Sequence, residues 1–175
     1  GPDAETKTDN LLEEALDAWA DARRGVIAEV ENIPAARLLF RPSPGARSGV
    51  EIVQHIIESA LMWTGELTNP AGDFTRQSFS AFVSEYAPQR DRNRTKPALL
   101  RQLTQTHATG ARRIRTAGEL VMLQRIRRYD GELGTRLAWM HHGIAHEEYH
   151  RAQVALYSRL MGRTPALTKL IDSAS

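Results

Sequence analysis

Thr135–Met161 reads TRLAWMHHGIAHEEYHRAQVALYSRLM. An α-helix turns once in about 3.6 residues, so positions three and four apart share a side. One such stripe takes in Trp139, His142, His146, His150, Gln153, Tyr157 and Leu160, while His141, Glu148, Arg151 and Arg159 fall on the opposite, wet side. Thr135 is placed to cap this helix and Gly162 to stop it in a left-handed turn. A solvated helix has no reason to aim three imidazoles at its neighbours. Two histidines one turn apart direct their ring nitrogens at a common point, the way a helix presents two ligands to a zinc-like ion. The stretch is read as a core helix whose His146 and His150 hold a metal.

Three more helices are expected around it. Asp9 or Asn10 can cap a first one running to about Asn32, with Leu12, Leu16, Trp19, Val26 and Val30 inward and Arg23 and Arg24 off that face. Ser48-Gly49-Val50-Glu51 fits a capping box opening a second, which ends near Asn69-Pro70. His55 lies at the edge of its apolar stripe beside Ser59 and Met62, a suitable place for a ligand facing a partly open pocket. Phe79, Phe82, Val83 and Tyr86 indicate a short helix inside a long connection. The third long helix runs from Thr95 to Ala117, with Pro97 in its first turn and a buried, hydrogen-bonded His107 on its inner face. Gly118, and then Arg125 to Gly131, form a connection with room for a brief hairpin at Asp130-Gly131. Four helices with almost no strand predict an all-α four-helix bundle, with a long crossover between helices 2 and 3.

Bulk properties exclude more than they select. The chain has 175 residues, enough for one domain with a real core, here residues 3–175 after a Gly1-Pro2 tag scar. Formal net charge is only +2, from 23 Lys+Arg against 21 Asp+Glu. Neither that balance nor the arginine groups, which carry no interleaved aromatics, asks for nucleic acid. Cysteine is absent, which removes disulfides, thiolate metal sites and a cysteine nucleophile. No apolar run reaches membrane-spanning length, and the N-terminus lacks a signal-peptide pattern, so a cytoplasmic protein is expected.

His146-Glu147-Glu148-Tyr149-His150 also matches H-E-x-x-H, in which the glutamate is the general base of a zinc protease. That reading makes Glu147 a catalytic candidate. Its context is missing: no histidine or glutamate follows His150 to act as third ligand, and no substrate-binding sheet is indicated. Glu147 has an alternative partner in Arg151, four residues on.

The string from His142 to Val154, HGIAHEEYHRAQV, closing on Leu160-Met161-Gly162, resembles the last helix of the DinB-type family, and Ser48 to His55 resembles its second. The likeness extends from about Leu11 to Gly162. It implies an up-down-down-up bundle, often a homodimer, with zinc or nickel held by His55, His146 and His150, and it brings relatives that use an exogenous low-molecular-weight thiol. Ala152 stands where the family has glycine, which predicts a slightly wider helix contact, and Arg47 where a tryptophan commonly precedes the serine.

Three neutral imidazoles leave a metal's charge uncompensated and a coordination position open, as in catalytic rather than structural sites. His142 is expected to orient a ligand or line the pocket, with Tyr149, Gln153 and Met62 lining it too. Three functions follow: a metal-dependent enzyme of thiol-transferase or hydrolase type; a non-catalytic metal-binding or dimeric protein of stress or DNA-damage response; and a zinc protease.

Overall fold

The computed structural model describes residues 9–88 and 90–174; the tag-scar assignment at Gly1-Pro2 lies outside the described residues. Four long helices carry the fold: α1 (Leu11–Glu31), α2 (Gly49–Thr68), α4 (Lys96–Met122) and α5 (Arg136–Leu160). Between them lie the short α3 (Phe79–Tyr86) and a hairpin of β1 (Arg125–Arg127) with β2 (Leu133–Thr135), and α6 (Ala166–Ala174) ends the chain. The starts are set by side-chain caps. Asn10, Ser48, Ser78, Thr95 and Thr135 each accept from the amide three residues on, satisfying a donor the helix leaves free. Ser48 also donates its hydroxyl to the Glu51 carboxylate at 3.2 Å, a side-chain contact in place of the glutamate-to-backbone bond of the expected capping box, while Glu51 is also paired with Arg41.

Two core clusters give the helix directions. One joins the early turns of α1 and α5 (Leu16, Trp19, Met140, Ile144) to the late turns of α2 and α4 (Trp63, Leu67, Ile114, Met122). The other joins late α1 and α5 (Val26, Val30, Val154) to early α2 and α4 (Val53, Ile56, Leu99, Leu103). Thus α1 and α5 run one way and α2 and α4 the other: up-down-down-up. Each of α1 and α5 packs against α2 or α4 or both, and the parallel pair α2 and α4 forces the 27-residue stretch 69–95 to return along the bundle.

Four expectations are corrected. The third long helix does not end at Ala117. It breaks at Gly118 (φ 85°, ψ 171°) and resumes to Met122, because fully buried Met122 anchors one more turn in the core. Arg23, expected off the apolar face of α1, is buried. Leu160 leaves its stripe and is exposed. Ala152 is exposed as well, so its methyl widens no helix contact. The hairpin is as expected, antiparallel with Ile126 opposite Gly134, and Gly131 (φ 86°) takes the turn position that a side chain would disfavour. The C-terminal α6 was not read from the sequence, although Leu167, Leu170 and Ile171 have helical spacing after Pro165.

Arg136 ties the crossover to the bundle. Its guanidinium donates to the carbonyls of Leu67 and Asn69 at 2.7 and 2.8 Å, at the negative end of α2. No helix among the described residues is long and apolar enough to cross a membrane.

Candidate metal centre

His55 comes from α2, and His146 and His150 from α5, its antiparallel neighbour. The Nε2 atoms of His55 and His146 lie 3.2 Å apart, and those of His146 and His150 3.0 Å. All three residues offer ligand atoms within 4.8 Å of one another. A tetrahedral ion with metal–nitrogen bonds of about 2.0–2.1 Å spaces its ligand nitrogens by about 3.3 Å, so the observed pairs fit such an ion. The third ligand that H-E-x-x-H lacked downstream thus stands upstream, on another helix.

Ring chemistry points the same way. Burial, reinforced by the Arg47 charge and the neighbouring imidazoles, pushes His55 down to about 3. Burial and His150 push His146 down to about 4. His150 is lowered too, by burial first, against the opposing hydrogen bond from Gln153. All three rings are therefore neutral at pH 7, the form that donates a lone pair to a metal. His150 Nδ1 lies 2.8 Å from Gln153 Oε1. An amide oxygen only accepts, so Nδ1 carries the proton and Nε2 faces the cluster bare.

An apolar cavity of about 240 Å³ opens beside the triad, lined by His55 and His146 together with Met62, Trp63, Phe74 and Trp139. The crossover contributes Phe74 and Phe79, and the hairpin contributes Tyr129. Gly143 makes the close approach of Trp63 possible, since a Cβ there would lie 2.7 Å from the indole. His142 lines the cavity as expected, its ring stacked on Trp139 at 3.9 Å and nearly parallel, but it bonds none of the three histidines.

Three candidates behave differently from expectation. Gln153 bonds His150 and does not line the cavity. Tyr149 is exposed; its ring meets the edge of His150 at 5.0 Å and does not line the cavity, because its place on the helix turns it outward. Glu147 pairs not with Arg151, which bonds Glu148 instead, but with Arg23. Arg23 Nε and Nη2 donate to its two oxygens at 2.7 and 2.8 Å, and Trp19 Nε1 adds a third bond at 3.0 Å. Both oxygens of a carboxylate so engaged and buried are unavailable to take a proton from water, which removes the protease's base. His107 is half-buried against Trp19, yet its Nε2 has no partner among the described residues, against the hydrogen bond expected for it. Sequence reasoning missed the Arg23–Glu147 pair: Arg23 falls off the apolar stripe and Glu147 has Arg151 nearby, and only the docking of the helices brings the two together.

The fold and the cluster define a class, a four-helix bundle with a histidine triad where two antiparallel helices face each other. The chain belongs to the DinB superfamily, whose family model matches residues 9–154. Among solved structures it is similar to a DinB-like protein, YjoA, of Bacillus subtilis (TM-score 0.64, 18% identity, 86% of this chain and 93% of that one). It is similar as well to YfiT of Bacillus subtilis, described as a probable metal-dependent hydrolase with an unusual four-helix bundle topology (TM-score 0.64, 17% identity, 91% and 93%). A DinB family member of Exiguobacterium sibiricum matches at TM-score 0.62 and 18% identity over 89% and 95%. No curated protein matches the sequence.

Proposed function

We propose that this protein is a divalent-metal-dependent enzyme of hydrolytic type, with His55, His146 and His150 as its ligands and zinc or nickel as the ion. The observation that carries the reading is the convergence of three neutral imidazoles, two of which line an open cavity. Three protein nitrogens leave a tetrahedral ion one position for a guest. When bound, the ion would supply Lewis acidity, polarising a carbonyl and making water or a thiol acidic near neutral pH. Gln153 holds the His150 tautomer, and the indoles of Trp63 and Trp139 keep bulk water from the reacting end. The description of YfiT as a probable metal-dependent hydrolase supports the hydrolytic form. A chain without cysteine is also compatible with an exogenous thiol entering the same open position, the transferase form of the reading.

The test is elemental analysis of protein reconstituted with zinc or nickel, followed by ester and amide hydrolysis assays with and without added thiol. One equivalent of metal and metal-dependent turnover are expected. Absence of stoichiometric metal sinks the reading, and turnover strictly dependent on thiol replaces hydrolysis with transfer.

A further inference from the structure

The side chain of Ser59 is buried, at 3% exposure, and its hydroxyl has no hydrogen-bond partner among the described residues. It lies one turn beyond His55 on α2 and forms part of the cavity lining. Elsewhere on this helix hydroxyls turn back to the backbone: Thr64 and Thr68 each donate to the carbonyl four residues before, at 2.7 Å. A buried hydroxyl left without a partner is unfavourable, and native structures rarely keep one without a use. Apart from the histidines, Tyr129 and Gly143, the remaining wall is aromatic and thioether, from Met62, Trp63, Phe74, Phe79 and Trp139. No Asp, Glu, Lys or Arg among the described residues lines the cavity. In the metal-free protein a charged guest would lose its hydration there with no ion-pair partner in the lining.

We infer that the metal-free cavity takes a compact, uncharged aromatic molecule with one polar group, toward which the Ser59 hydroxyl, buried from the cavity as it stands, rotates. The inference rests on the reading above, since it takes the part of the cavity lined by His55 and His146 as the reacting part. Size agrees. An apolar cavity of about 150 Å³ accommodates benzene, so the 240 Å³ here fits one ring with a short polar substituent. Ser59 acts as a positioning residue, turning the polar group of the guest toward His55 and His146 while the ring lies against the indoles.

The test is calorimetric titration of the metal-free protein with benzamide, acetamide, benzoate and toluene, each against wild type, Ser59→Ala and Trp139→Ala. Benzamide is expected to bind at least about tenfold more tightly than acetamide or benzoate. Ser59→Ala should weaken benzamide by about three- to tenfold and leave toluene unchanged. Trp139→Ala should weaken both. Acetamide or benzoate matching benzamide overturns the inference, as does a Ser59→Ala effect that is absent or equal for benzamide and toluene. A wild-type crystal structure with benzamide supplies a reading independent of the variants: a carboxamide out of hydrogen-bond reach of Ser59 overturns the assignment. Zinc titration of the same samples separates the two conclusions. Failure to bind zinc condemns the metal reading whatever benzamide does, and failure to bind benzamide condemns this one whatever zinc does.

Discussion

Arg23 of α1 and Glu147 of α5 are joined by two hydrogen bonds of 2.7 and 2.8 Å inside the bundle, with each side chain 2% exposed. Arg23 also donates to the Leu103 carbonyl at 2.7 Å and to Thr106 Oγ1 at 3.0 Å, so one guanidinium ties α1, α4 and α5 together. Because Glu147 follows His146 directly, the pair fixes the rotation at which α5 presents its histidines. Removing one partner strands the other charge in the interior, and Glu147→Ala should cost about 3–5 kcal/mol in urea unfolding. Arg23→Met with Glu147→Leu should recover most of that loss. A general base would instead lose turnover with stability intact.

The ligand assignment predicts a sharp division among the six histidines. Alanine at His55, His146 or His150 should abolish stoichiometric metal, whereas alanine at His107, His141 or His142 should leave it in place. Wild-type protein should also gain stability on metal addition, by about 2.7 kcal/mol at a free concentration a hundredfold above Kd. Retained metal in His150→Ala would contradict the assignment.

Gln153 offers a subtler test. Without its oxygen the His150 ring loses the partner that holds its proton on Nδ1. Gln153→Ala should weaken metal binding about 10- to 100-fold in competition with a chelator, with little change in thermal unfolding of the metal-free protein.

The histidines also set a pH dependence. In the unfolded chain they protonate near 6.5, while in the native metal-free protein His55 and His146 stay neutral down to about 3 and 4. Between those limits the unfolded state binds more protons, so stability falls as pH drops from about 6.5 toward 4. Carboxylates held low by their partners, such as Glu66 with Arg76 and Tyr86, add their own loss only below about 4.5. His107, lowered by burial and then by Arg23, contributes in the histidine window. The decisive comparison is therefore His55→Gln, which should flatten the urea midpoint between pH 6.5 and 5; an unchanged slope would remove His55 from the account.

Gly143→Ala should push Trp63 off α5, destabilise by about 1–3 kcal/mol and narrow the cavity. Thermal unfolding reads the first effect and benzamide affinity the second.

The fold was legible because its signals are local. Asn10, Ser48, Thr95 and Thr135 announce helix starts, and the stripe in α5 carries its own period. His146 and His150 share a helix, and their spacing alone pairs them. His55 stood out by its place at the edge of the α2 stripe and by resemblance, since the meeting of α2 with α5 depends on the whole topology. What stayed hidden was non-local. Arg23 and Glu147 each look solvated until the helices are docked, and the lone hydroxyl of Ser59 emerges only when the surrounding hydrogen bonds are known. Tyr149 was misplaced for a smaller reason: a narrow stripe on a helix leaves neighbouring positions pointing either way.

Because α2 and α4 point the same way, the chain between them has to travel back the full length of the molecule, and on the way it supplies part of the cavity wall. Phe74 and Phe79 sit on that return path, with Tyr129 facing them from the hairpin. The histidines, by contrast, are fixed on long helices whose packing tolerates little change. The protein thus divides its labour between a ligand set on long helices and a wall built partly by a connecting segment. Changing Phe79 on that segment is a route to a new guest that leaves the imidazoles where they are.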